Sequence, residues 1–196
     1  MQNGINLYKY HNEPETLAGD SDIISFEFFF EERKFLPRVG INDINDIANS
    51  KTLAYYYAEY TDKPFPEGEK AISSDAGNSY NYAKDVLHAP FPKGEKAIST
   101  RGQYSYQYAH TVLKAPFPKG EEAIASNDYY SYLYAFDVLK APFPKGEPAI
   151  AKDSVHSLAY AKNVLKAPFE AATKLLYDSE QWEDYLTAMD ELGFEI

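Results

Sequence analysis

The chain has 196 residues, with 44% hydrophobic and 25% charged residues, no cysteine and a formal net charge of −11. That is the composition of a folded globular chain, long enough for one ordinary domain or one elongated array. It excludes a disulfide scaffold, a thiolate nucleophile and cysteine-ligated metal, and no apolar run approaches the roughly 20 residues of a membrane-spanning helix. The opening Met1-Gln2-Asn3-Gly4 offers neither the basic and apolar regions of a secretory signal nor the glycine needed for myristoylation. The expected location is the cytoplasm.

Residues 1–45 form the first segment and are read as an N-terminal cap or a diverged repeat. Phe26, Phe28 and Phe30 alternate as in a strand, yet the stretch before Pro37 and Gly40 also resembles a degenerate Tyr-x-Tyr helix, which is the reading preferred here.

Residues 46–169 are a repeat array. Pro-Phe-Pro-x-Gly-Glu begins at Pro64, Pro90, Pro116 and Pro142, every 26 residues, with a truncated Pro-Phe-Glu at Pro168. Val86-Leu87, Val112-Leu113, Val138-Leu139 and Val164-Leu165 recur in the same register, as do the Tyr-Ala pairs at 82, 108, 134 and 160. A shorter apolar element is marked by Ile72, Ile98, Ile124 and Ile150. The copy from Ile47 to Lys63 is one residue shorter and lacks the Val-Leu pair. Each copy predicts a long and a short helix. On an α-helical wheel, Tyr80, Tyr82, Ala83, Val86 and Leu87 cover an arc roughly 160° wide, which suits a helix held between two neighbouring repeats. Lys84, Asn81 and Asp85 fill the polar remainder. Pro90 ends the long helix near His88, Glu95 opens the short one, and Asp153 is a candidate N-cap. Phe91 and its equivalents are expected to anchor the loop between repeats. The predicted fold is mostly all-α: two-helix repeats stacked as an α-solenoid.

Residues 170–196 read as an acidic helical cap. Asp178 with Gln181 resembles a capping box, and Trp182, Tyr185, Leu186 and Met189 supply an apolar face.

The charge is uneven. Residues 1–63 carry six basic and eleven acidic groups, residues 64–169 twelve and eleven, and residues 170–196 one and eight. No cationic stripe suits a nucleic acid. Lys93, Lys119 and Lys145 stand beside Glu95, Glu121 and Glu147 and are expected to form a mixed ladder. The acidic ends keep open a second reading, in which Asp178, Glu180, Glu183 and Asp184 imitate nucleic acid on a cationic partner.

No catalytic constellation stands out. His11, His88, His110 and His156 share no i, i+4 face for a metal, and no nucleophile elbow, Walker loop or dinucleotide turn is present. The chain is therefore expected to be no enzyme and to use no cofactor or metal.

Function is sought where one repeat stops resembling its siblings. Three outward positions of the long helix read Gly77, Asn81, Lys84, then Gln103, Gln107, His110, and in the last repeat Val155, Ala159, Lys162. In the remaining repeat they are Tyr129, Leu133 and Phe136, an i, i+4, i+7 stripe. With His110 beside it, this stripe is the candidate partner-binding surface; the alternative is that another segment covers it.

The run from Tyr134 to Ala151, Tyr-Ala-x-x-Val-Leu-Lys-Ala-Pro-Phe-Pro-Lys-Gly-Glu-x-Ala-Ile-Ala, resembles a repeat of uncharacterised bacteriophage and bacterial proteins, over about residues 47–169. Asp153-Ser154 stands where those repeats often have Asp-Pro, and both ends are private to this chain. The resemblance implies no activity, cofactor or catalytic residue. It implies a phage or prophage origin, and by association an inhibitor that sequesters a bacterial host protein such as one of its anti-phage defences. A structural subunit of a self-assembly is a further alternative.

Overall fold

In the computed structural model the described residues are 16–17, 24–29, 34–37 and 44–196. They are mostly helical. Three short strands, β1 (Thr16–Leu17), β2 (Ile24–Phe29) and β3 (Lys34–Pro37), pair antiparallel in the order β1-β2-β3, with Phe28 opposite Phe35 and Phe26 opposite Pro37. At 24–29 the backbone therefore takes the strand of the alternating phenylalanines, and the helical alternative is corrected. The other residues of the 1–43 stretch, among them His11 and Phe30, lie outside the described residues.

The helices are α1 (Ile44–Asn49), α2 (Lys51–Thr61), α3 (Glu69–Ile72), α4 (Ala76–Asn81), α5 (Glu95–Ile98), α6 (Gly102–Gln107), α7 (Glu121–Ala125), α8 (Asp128–Leu133), α9 (Glu147–Ile150), α10 (Ser154–Tyr160), α11 (Thr173–Tyr177) and α12 (Trp182–Glu191). The chain divides into two compact units, residues 1–97 and 98–196. Counted from each N-cap, the repeats occupy 50–74, 75–100, 101–126, 127–152 and 153–178.

Four of the long helices differ from the expected uniform α-helix. After α4, α6, α8 and α10 the backbone continues as π-helix through Tyr82–Leu87, Tyr108–Leu113, Tyr134–Leu139 and Ala161–Leu165. A π-turn bonds i to i+5 and so accommodates one more residue than an α-turn. The first repeat shows the alternative. Its α2 is α-helical throughout, and the amides of Asp62 and Lys63 both reach the Ala58 carbonyl. In the second repeat the matching carbonyl, Ala83, receives the amides of His88 and Ala89, one residue further on. The residue missing from the first copy is the π insertion.

Each long helix then stops in the same way. Asp62, His88, Lys114, Lys140 and Lys166 take left-handed φ values of 48–52°, the usual way to close a helix end, and a proline follows two residues later.

In Pro-Phe-Pro the phenylalanine carries the one N–H of the three residues, and the ring is buried at Phe65, Phe91, Phe117, Phe143 and Phe169. A buried amide needs an acceptor. In the first unit the Phe65 amide donates to the hydroxyl of Tyr82, from the following repeat, at 2.9 Å; that hydroxyl donates to Glu69 at 3.2 Å. In the second unit Phe117 bonds Tyr134 at 2.9 Å and Phe143 bonds Tyr160 at 2.8 Å, while these tyrosines donate to Glu121 and Glu147. Each tyrosine ring meets the phenylalanine of its own repeat edge-on, with centroids 5.0–5.2 Å apart from Tyr82–Phe91 to Tyr160–Phe169. These are the favourable crossed geometries of aromatic pairs. Phe65 in the first repeat is met instead by Tyr57.

The glycine of Pro-Phe-Pro-x-Gly lies under the long helix of its own repeat. A Cβ on Gly120 would come within 2.6 Å of the Phe117 ring and of Ser105 Cβ. Ser79, Ser105, Ser131 and Ser157 are fully buried, and each hydroxyl donates to the isoleucine carbonyl seven residues earlier, as Ser105 does to Ile98 at 2.9 Å. The lysine ladder also departs from the expected pairing. Lys93 meets Glu69 and Lys145 meets Glu121, the glutamates of the preceding repeat.

The C-terminal helix completes the last repeat. Tyr185, fully buried, takes the Phe169 amide at 3.1 Å. Asp178 does not cap α12. Its amide still belongs to the end of α11, Ser179 Oγ accepts the Gln181 amide, and the Gln181 side chain receives the Ser154 hydroxyl at 2.6 Å. α12 begins only at Trp182, with Gln181 in the N-cap position and no side-chain cap bond, so the capping box expected at 178–181 is not formed. The N-cap expected at Asp153 is present, bonding the His156 amide at 2.8 Å.

Two expectations follow. Tyr134→Phe leaves the Phe117 amide without its acceptor, and should cost about 1–3 kcal/mol in urea unfolding. Burial, offset in part by the Phe65 and Phe117 amides, pushes Tyr82 and Tyr134 up to about 12 from an ordinary 10.0. The unfolded chain then loses these protons first, so stability is complete below pH 10 and falls as pH rises towards 12. The part of the tyrosinate absorbance that comes from these buried tyrosines should therefore appear together with loss of helical circular dichroism.

Candidate functional site

The polar arc of α8 and its π continuation is where the fourth repeat differs. Tyr129 and Phe136 are 46% and 45% exposed, and Leu133, one turn after Tyr129, is half-buried. None of the three is fully covered. Leu133 is the least accessible because Tyr134 and Ala135 beside it enter the core.

The rings around the stripe form one connected set. His110, exposed on the third repeat, stacks on Tyr106 with centroids 5.6 Å apart and planes 7° from parallel. Tyr106 meets Tyr130, Tyr130 meets Tyr129, and Tyr129 lies 5.4 Å from the His156 ring of the fifth repeat. Tyr132 stacks on Phe136 at 5.8 Å and on His156 at 6.2 Å, and its hydroxyl accepts from Asn163. The site thus spans three repeats of the second unit. The helical wheel places Tyr132 on the core side, which is why the sequence does not single it out. Its signals are the i, i+4 relation to Phe136 and its tyrosine siblings at 80 and 106, which are buried where Tyr132 is half-buried.

Carboxylates frame the rings. Asp137 accepts from the Tyr106 hydroxyl at 2.7 Å; burial first, then this bond, holds Tyr106 well above the usual tyrosine range. His156 Nδ1 lies 2.7 Å from Asp128 and 3.1 Å from Asp153. Among the described residues these three form the one cluster of histidine and carboxylate atoms close enough to hold a metal ion. The short Nδ1 to carboxylate distances are those of hydrogen bonds, and Asp153 is already engaged as an N-cap. An ion would have to part the group.

The remaining candidates lie elsewhere. Asp178, Glu180, Glu183 and Asp184 are exposed around the start of α12. His88 donates from Nδ1 to the Lys84 carbonyl, 2.8 Å away. No helix among the described residues is long and apolar enough to cross a membrane.

No family model, curated protein or solved structure matches the chain. The chemistry of the stripe therefore has to be read from its own residues.

Those residues offer an aromatic and aliphatic surface edged by acceptors. Replacing Tyr129 and Phe136 by the residues their siblings carry, as Tyr129→Gln and Phe136→Lys, should move stability by no more than about 0.5 kcal/mol. Thermal melts of the two variants check this, and a large loss would mean that the rings serve packing.

Proposed function

We propose that this chain is a non-enzymatic, protein-binding repeat protein that acts stoichiometrically, with the Tyr129, Leu133 and Phe136 stripe and His110 as its binding surface. Large exposed aromatic residues clustered where sibling repeats carry small or mostly polar ones are the feature that carries this reading. Such residues supply much contact area at little conformational cost and dominate protein interfaces. The repeats are read as stacking into an α-solenoid, since the tyrosine to phenylalanine-amide bond recurs within each of the two compact units. With the phage-like repeat signature, the concrete version is a phage-encoded factor that inhibits or sequesters a bacterial host protein such as a defence factor.

The test is capture from nuclease-treated bacterial lysate with wild type and with the Tyr129→Gln/Leu133→Gln/Phe136→Lys triple variant, its fold verified by circular dichroism. A protein retained by wild type at moderate salt, and reduced at least about tenfold by the variant, is the expected result. Equal retention by both refutes the surface. Retention that collapses with salt and depends on Asp178, Glu180, Glu183 and Asp184 would instead favour an acidic mimic.

A further inference from the structure

Two lysines that neutralise carboxylates in the first two repeats have no counterpart at the aromatic stripe. Lys51, first residue of α2, lies 3.6 Å from Asp75, the N-cap of α4. Three repeats later the same register positions hold Asp128 and Asp153. A cation-carboxylate contact has become two carboxylates with His156 Nδ1 between them. Lys84 likewise lies 3.3 Å from Asp85. The corresponding pair on the fourth repeat is Phe136 and Asp137. Both aspartates keep a tyrosine from the preceding repeat, Tyr55 on Asp85 at 3.4 Å and Tyr106 on Asp137 at 2.7 Å. Asp137 alone of the two has a half-exposed phenyl ring where its sibling has an ammonium.

Among the described residues no lysine or arginine forms an ion pair with Asp128, Asp137 or Asp153. All three carboxylates are partly accessible. They border rings whose faces carry negative potential, and a cation placed over such a face is attracted to it. A guanidinium suits this surface better than an ammonium: it stacks flat on Tyr129, Tyr132 or Phe136 while its N–H groups reach a neighbouring carboxylate. We infer that the stripe receives an arginine-bearing segment of the partner protein, whose guanidinium takes the place of the lysines lost from this face. The inference rests on the protein-binding reading of the same stripe and gives that partner its chemistry.

The test uses the full chain, immobilised, to select from a random dodecapeptide display library. Parallel binding measurements use Phe136→Lys and the double variant Asp128→Asn/Asp137→Asn. Phe136→Lys restores the residue found at 84 and 162, and the carboxamides keep a hydrogen-bond acceptor for His156 and Tyr106, so all should fold; melting curves verify it. The expected result is selected peptides several-fold enriched in arginine, each losing at least about tenfold in affinity on both variants. Peptides that lose affinity on Phe136→Lys, yet show no arginine enrichment and bind the double carboxamide variant as they bind wild type, overturn the cationic partner and leave a protein-binding stripe. A selection yielding no peptide that distinguishes wild type from Phe136→Lys overturns both.

Discussion

One buried hydroxyl sets the geometry of each repeat. The loop Pro-Phe-Pro has a single amide, and at Phe65, Phe117 and Phe143 the tyrosine of the next repeat supplies its acceptor. Because that hydroxyl also donates to the glutamate that opens the short helix, loop, short helix and following long helix are tied at one point. An unmet buried amide costs about as much as a lost hydrogen bond, in the range of 1–3 kcal/mol. The bond is directional, so it adds a positional constraint to the apolar burial between adjacent repeats.

The other recurring features follow from bringing that tyrosine to its place. The glycine admits the loop to within contact of the long helix, and a serine there satisfies the isoleucine carbonyl of the short helix before it. The left-handed residue and the proline turn the chain sharply into the loop. The π segment inserts one residue between the Tyr-Ala pair and this turn. π-turns are often taken as marks of a functional site. Here they recur in four repeats whose outward residues differ, so they belong to the architecture.

A scaffold fixed by inward residues leaves the outward arc free to vary. Lys84, His110, Phe136 and Lys162 occupy one register position without altering the hydroxyl bonds beneath them. The fourth repeat uses that freedom to gather rings, and its neighbours contribute Tyr106, His110 and His156 to the same surface. What distinguishes the site is charge as much as apolar area, since lysines that silence aspartates in the first two repeats are replaced there by a carboxylate and a phenyl ring.

The sequence by itself determined the repeat length, the helical content, the helix ends at His88 and its equivalents, the N-cap at Asp153 and the stripe Tyr129, Leu133, Phe136. All of these are local: proline geometry, capping chemistry and period are properties of neighbouring residues. The tertiary structure alone decided the rest. Whether a helix takes one extra residue as a π-turn depends on the loop it must reach, and which glutamate a lysine meets depends on the repeat packed beside it. The capping box at Asp178 failed because Asp178 closes α11 and α12 begins only at Trp182. Tyr132, His156 and Asp128 joined the site because residues separated by up to 31 positions meet across repeats, a proximity that no wheel drawn for a single helix contains.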